Sequence, residues 1–283
     1  MMNRCLLLLL FFLMPHFAFS AEKKLEKETT IFDETFSWQV MVALSASYNP
    51  HMLADIPQKE PRDFLGLGLL IDFYYKGFFI QSNDRRVGGL LKGAELGYQV
   101  FDQNDWALDI IAKPHLLGFD PQSIIEDEDK SIPSIEGLSE RDVGFGIGLR
   151  YSKYYEDAIF SFDIASLQPT NGKGWLAEFF YSHLFLYRNW DIYAGTGLTY
   201  YSDAVVDYYL GIHLDEVTAN RAYYKAKSGF RAQVEIFARR PISKNWTFNA
   251  GITQNYYSSA ISDSPIVKKH HLTQVMMGVV YVF

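Results

Sequence analysis

Enzymatic hydrolysis needs a nucleophile with a base in reach, and the residues able to supply them are thinly spread along this chain. Beyond residue 20, histidines lie at positions 51, 115, 183, 213, 270 and 271. Ser182 and His183 are adjacent, and in a strand adjacent side chains point to opposite faces, so they cannot form a dyad with each other. His270 and His271 diverge for the same reason, which argues against a metal pair. The acidic run at 126–129 has the oxygen ligands a divalent cation takes, and equally the composition of a solvated charge run. The residues thus predict no enzyme, and no metal or cofactor is expected.

The polar side chains left over belong to a repeated pattern. Over 246–256, Trp246, Phe248, Ala250, Ile252, Gln254 and Tyr256 share one face, and Thr247, Asn249, Gly251, Thr253 and Asn255 the other. The split recurs at 190–200, at 38–48, at 143–152 and at 226–239, where Phe230, Ala232, Val234 and Ile236 oppose Arg231, Gln233 and Glu235. A soluble sandwich also alternates, so the pattern alone does not decide between that and a membrane barrel. The aromatic interval does. Trp38 and Tyr48, Trp190 and Tyr200, and Trp246 and Tyr256 are each ten residues apart. At about 3.3 Å per residue and a tilt of about 40 to 45°, ten residues cover about 23 to 25 Å along a membrane normal, the height of the apolar band of a transmembrane barrel. Trp38, Trp106, Trp190 and Trp246 are then expected at one interfacial girdle and Tyr48, Tyr200 and Tyr256 at the other.

Twelve strands are expected, near 36–47, 64–75, 77–82, 91–101, 105–115, 143–153, 157–166, 175–187, 190–201, 223–239, 245–257 and 272–283. Their connections alternate in length. "YKG", "DQND", "YYED", "YRN" and "RRPISKN" are short, whereas 48–63, 83–90, 116–142, 167–174, 202–222 and 258–271 are longer. This predicts an all-β, antiparallel up-and-down barrel with short periplasmic turns and longer external loops.

The termini fit export to an outer membrane. Residues 1–20 combine Arg4, an apolar run from Leu6 to Met14 and small residues at Ala18 and Ser20, the layout of a cleaved signal peptide. The run is short of the roughly 20 residues a spanning helix needs. The domain layout expected is therefore a signal peptide at 1–20, a periplasmic segment at 21–35 and a barrel at 36–283. The only cysteine, Cys5, falls within the leader, so the mature chain has no thiol. Cleavage removes one of 26 basic and none of 33 acidic residues, which leaves a net charge of −8 and no basic stripe for nucleic acid. At the other end, Val279, Tyr281 and Phe283 share a face of "VMMGVVYVF" and resemble the terminal strand that the outer-membrane assembly machinery reads.

"DYYLGIHLDE" at 207–216 with "YYKAKSGF" at 223–230, "SDSPIV" at 262–267, "GFGIGLRY" at 144–151 and the closing "YVF" resemble the MipA/OmpV family (MltA-interacting protein and outer-membrane protein V) of Gram-negative bacteria. The resemblance spans roughly 36–283. It implies an outer-membrane barrel, with one member a scaffold that brings a murein-degrading transglycosylase together with a murein synthase, and others linked with adhesion or stress responses. It carries over no catalytic residues. Tyr208, Tyr209 and Gly211 fall in an expected external loop, where a structural turn is the expected role.

With the barrel assumed, Glu95, Asp109, Arg150, Asp163, Glu178, Arg231 and Glu235 face the lumen, as a filling ion network or as the lining of a narrow channel. Inward glycines at 66, 68, 144, 146, 148, 195 and 197 favour the filled interior. Lys268 and Lys269 with His270 and His271 would form a basic external loop end suited to water or anionic lipopolysaccharide. Outer-membrane lipid and the assembly machinery are the expected partners, with a murein hydrolase and synthase added by the resemblance. A murein-linked scaffold, a narrow channel and an adhesin stay open as functions.

Overall fold

The computed structural model describes residues 36–56, 64–82, 87, 94–128, 130–170 and 173–283. The expected signal peptide and N-terminal segment lie outside the described residues, as does Asp129 of the acidic run.

Twelve strands pair antiparallel with their sequence neighbours, and β1 closes on β12. They are β1 (Phe36–Tyr48), β2 (Leu65–Tyr75), β3 (Phe78–Ser82), β4 (Ala94–Gln103), β5 (Trp106–Leu116) and β6 (Gly144–Tyr154), followed by β7 (Ala158–Leu167), β8 (Trp175–Tyr187), β9 (Trp190–Tyr201), β10 (Gly229–Pro241), β11 (Trp246–Tyr257) and β12 (His271–Val282). Closure gives the central backbone groups a partner on both sides, the requirement for strands that cross hydrocarbon. The closing seam runs from Met41 opposite Val282 to Tyr48 opposite Val275.

The two faces separate as the period-two pattern requires. On β11, Trp246, Ile252 and Tyr256 are exposed on the outside, while Asn249, Thr253 and Asn255 are buried inside. Trp38, Tyr200 and, less fully, Trp106, Trp190 and Tyr48 share the outward face of their own strands. Inward glycines make room for rings: a Cβ on Gly195 would stand 2.7 Å from the Phe180 ring. Gly251 leaves space for Val87, which is fully buried against Phe237 and Met276 on the inner wall. Val87, between β3 and β4, thus lies on the lumen side of the wall.

Short turns close the periplasmic end. Lys76 and Gly77, both at positive φ, form the β2–β3 reversal, a backbone shape that matches strand twist. At the outer end the connections fold into structure of their own. Helices α1 (Pro121–Glu128), α2 (Asp203–Leu210) and α3 (Ser259–Ser262) lie in three of them. Strand β10 begins at Gly229 rather than near 223, because residues 202–228 are taken into this outer layer. Tyr208 and Tyr209 belong to α2 and Gly211 is its C-cap, so the expected turn is a helix end.

Candidate functional site

Two polar assemblies stand out, one on the lumen wall and one over the outer mouth. The wall assembly follows from register. Asp109 on β5, Arg150 on β6, Asp163 on β7, Glu178 on β8, Thr199 on β9 and Arg231 on β10 are successive cross-strand partners, and the row ends at Tyr257 on β11. Because strands in a barrel are tilted, a row of opposed residues climbs as it goes round. This one starts three residues from the inner end of β5 and finishes on the last residue of β11.

Arg150 is the centre of its lower half. Its Nε donates to Asp163 at 2.9 Å, its Nη2 to Glu95 at 2.8 Å and to Asp163 at 3.0 Å, and its Nη1 also donates to Glu95. Lys113 donates to the same Asp163 at 2.7 Å. On the far wall Arg231 lies 3.7 Å from Glu178 and donates to Thr199 at 3.0 Å, and Glu235 accepts from Thr253 at 2.9 Å. Charges of both signs are interleaved and mutually hydrogen-bonded, as a brace across strands requires. All seven inward charges expected from sequence are in these networks or beside them. Lys113, which completes the lower one, was not among them, although its place two residues from Ile111 on the inner face of β5 is legible.

The second assembly is a cap. Leu53 from the β1–β2 connection, Ile132 and Ile135 from β5–β6, Val205 and Ile212 from β9–β10 and Ile266 from β11–β12 share one apolar core. That core extends onto the inner wall at Leu167, Leu176 and Tyr201. Burying such side chains is worth about 1.5 to 3 kcal/mol each, which makes these loops folded structure rather than tethers. Glu216 pins the cap: it accepts from the amides of Ser139 at 2.9 Å and His213 at 3.1 Å, and from Arg141 at 2.8 and 3.0 Å. Arg221 donates to the carbonyls of Glu216 at 2.6 and 2.9 Å and of Ser134 at 3.0 Å. All three charged side chains are at most 4% exposed. Burial alone would raise the Glu216 carboxyl, but the two amides and Arg141 outweigh it and hold the group below its usual range. Burial also lowers Arg221, which meets only carbonyls.

The motif "DYYLGIHLDE" is explained by this cap. Asp207 accepts from the Ala226 amide at 2.8 Å, Tyr209 donates to the Asp142 carbonyl at 2.9 Å, and Ile212 bridges to Tyr224. Burial keeps the Tyr209 hydroxyl protonated well above the usual range. The sequence carries a signal for α2, since Val205, Val206, Tyr209 and Leu210 recur at helical spacing and are its buried side. It carries none for the pairing of Arg141 with Glu216, which are 75 residues apart.

Ser182 and His183 lie on opposite faces of β8, and His270 and His271 precede and open β12. Among the described residues no group of three or more His, Cys, Asp or Glu side chains is placed to hold a metal ion. Phe283 is exposed, and its ring meets Tyr281 edge-on at 4.9 Å between centroids.

The chain is similar in sequence to outer-membrane proteins of Gram-negative bacteria. A 24 kDa outer membrane protein of Pasteurella multocida (strain Pm70) is 24% identical over 220 residues, covering 76% of this chain and 80% of the relative. Outer membrane protein Omp26La of Vibrio anguillarum is 26% identical over 153 residues, covering 54% of this chain and 60% of the relative. Among solved structures, the NanC porin is similar with a TM-score of 0.40 and 8% identity over 85% of this chain and 98% of its own. The outer membrane channel DcaP of Acinetobacter baumannii gives 0.41 and 9%, over 88% and 97%. A family model described as MltA-interacting protein MipA matches residues 35–283, so the chain belongs to that family and is an outer-membrane β-barrel protein of Gram-negative type.

Proposed function

We propose that the protein is a sealed structural barrel whose periplasmic turns meet a murein hydrolase and a murein synthase. The observation that carries this reading is the cap. Four connections share one apolar core at the outer mouth, and a buried ion pair pins it, which favours a fixed outer end over a conduit. The family's description names an interaction with MltA, and this supports a protein partner on the inner side. Exposed side chains for that contact are available on the periplasmic turns at Tyr155, Tyr187, Arg188 and Ile242.

In this reading residues 1–20 are the export leader and 21–35 a periplasmic segment. Trp38, Trp106, Trp190 and Trp246 form the inner girdle and Tyr48, Tyr200 and Tyr256 the outer one, while Val279, Tyr281 and Phe283 are the face that assembly reads. Their outward placement on β1, β5, β9, β11 and β12 supports those roles. A narrow solute channel is the second reading, favoured by the climbing row of lumen charges.

Photo-crosslinking amino acids at Arg188 and Ile242, in cells that make the protein, test the first reading. Adducts with a murein transglycosylase and a murein synthase are expected there and not from probes at Asp127 or Lys225 in the cap. Adducts from neither turn would overturn it.

A further inference from the structure

The periplasmic rim is electrically divided. Around the β4–β5 and β6–β7 turns Asp102, Asp105, Glu156 and Asp157 are exposed, and the one cation beside them, Lys153, donates to Asp105. Around the β8–β9 and β10–β11 turns it is Arg188, Arg240 and Lys244 that are exposed. Residues 236–250 contain no carboxylate, and Asp191 is the only one in 184–192. Asp191 opposes Arg239 on the lumen face of the wall, and among the described residues none of the three exposed cations is in an ion pair.

Aromatic rings hold two of these cations on the lipid side of the wall. The Arg240 guanidinium lies 5.5 Å from the centre of the Trp190 ring, and that of Arg188 lies 5.4 Å from the centre of the Tyr187 ring. Register sets the first contact: with Arg239 opposite Asp191, Arg240 comes level with Trp190, and its partner on β11 is Phe248. The Phe248 ring meets Trp190 edge-on at 6.1 Å between centroids. Tyr187, Trp190 and Phe248 all have the outward parity of their strands, so the two guanidiniums stand where hydrocarbon gives way to headgroups. Further along the same outward face Phe185 and Ile236 are 52 and 55% exposed. Lys76 lies over Tyr75 in the same manner at 5.3 Å, but β2 and β3 carry no second cation. The acidic side of the rim has girdle rings too, Phe101, Trp106 and Tyr151 in a chain of contacts, so charge and not aromatic content separates the two sides.

A ligand for this patch must carry negative charge at headgroup depth and apolar chains above it. A soluble anion could reach Lys244 but would gain nothing from Phe185 and Ile236. A zwitterionic lipid brings a phosphate together with an ammonium, which three cations disfavour. An anionic phospholipid meets both demands, since its phosphate oxygens match the planar donor fork of arginine. We propose that the rim from β8 to β11 binds an anionic phospholipid of the inner leaflet, with its phosphate held by Arg240 and Arg188 and Lys244 adding charge from the neighbouring turn. The site rests on the short turns facing the periplasm and needs no murein partner.

From residue 21 onward the chain has no thiol, so a single bimane fluorophore reports cleanly from Ser243→Cys on the basic turn or from Asn104→Cys on the acidic one. The labelled barrels are folded into phosphatidylcholine vesicles that contain a small fraction of phosphatidylglycerol or of phosphatidylcholine bearing a nitroxide high on its acyl chain. At Ser243 the phosphatidylglycerol probe should quench at a several-fold lower fraction than the phosphatidylcholine probe, and at Asn104 it should show no such advantage. Arg240→Gln should raise the phosphatidylglycerol fraction needed for half-quenching at Ser243 by roughly 5-fold, and Arg240→Gln combined with Lys244→Gln by roughly 30-fold, from about 1 kcal/mol per cation. Folded barrels are selected by heat-modifiable gel mobility, and Lys244→Gln alone, on an exposed turn, guards against Arg240→Gln failing to fold. Equal quenching by the two lipids at Ser243, or a phosphatidylglycerol preference that survives both substitutions, would overturn the site. A preference abolished by added inorganic phosphate would overturn the lipid as its occupant in favour of a free anion.

Discussion

The two ends of this barrel reverse the same kind of strand by opposite means. At the periplasmic end the backbone does the work. Lys76, Gly77 and Arg188 take positive φ, turns are short, and the nearest ion pair, Lys153 with Asp105, is solvent-exposed on the Asp105 side. At the outer end side chains do it, with an apolar core drawn from four connections and a buried Arg141–Glu216 pair. The comparison teaches that loop length sorts the ends of an outer-membrane barrel but says little about whether a loop is folded.

The sharpest way to break the comparison is to remove one ion pair from each end. Arg141→Ala leaves Glu216 buried without its cation and should destabilise the cap by about 3 to 5 kcal/mol, seen as new protease cleavage around Lys225 and Lys227. Lys153→Ala should leave thermal unfolding and protease resistance unchanged, because exposed pairs contribute little. Equal effects would mean that the ends are built alike.

Between the ends, the lipid-facing register sets the next effect. Ile252→Arg puts a cation into hydrocarbon and should destabilise the folded barrel by roughly 2 to 4 kcal/mol in denaturant titrations from lipid vesicles. Thr253→Arg turns into the lumen beside Glu235 and should be milder, although Thr253 is only 2% exposed and some crowding is expected. A worse Thr253→Arg would mean that the register is slipped by one residue.

Acid gives a smaller, reversible version of the first experiment. The Glu216 carboxyl is held below its ordinary value, so it contributes stability that is fully present above the unfolded glutamate range of about 4.3 and lost as pH falls through the lower folded value. Cap proteolysis by an acid-active protease should therefore rise below about pH 4 in the native chain. Glu216→Gln should be cleaved readily at neutral pH and show less of that acid dependence.

How much of this was legible in the sequence differs along the same line. Strands with a lipid face declare themselves, because burial on one side and lipid on the other impose a period of two. Trp190 to Tyr201 and Trp175 to Tyr187 could be bounded to the residue. The lumen charges followed from the same parity. The cap did not, since its contacts join segments far apart in sequence and share no period. Thr170 and Ser264 illustrate it: both fall in connections expected as long external loops, 167–174 and 258–271, yet they are 7 and 2% exposed. Thr170 donates to the Leu167 carbonyl and Ser264 to that of Leu210. Asp127, Lys225 and Asp263 are exposed and suit thiol labelling from outside, with Asn104 and Asn189 exposed at the inner end. Isoleucines 132, 135 and 212, apolar in stretches otherwise classed as loops, were the unread hint.

The claim that ties these regions together is that the cap seals the lumen, and single-channel recording in planar bilayers tests it most directly. Purified native protein at neutral pH is predicted to give no stable conductance steps, whereas Arg141→Ala, inserted at the same protein density, should give ion currents that the native chain lacks. Native protein that conducts steadily, at a level Arg141→Ala does not change, would contradict a sealed barrel and leave the charged lumen as an open path.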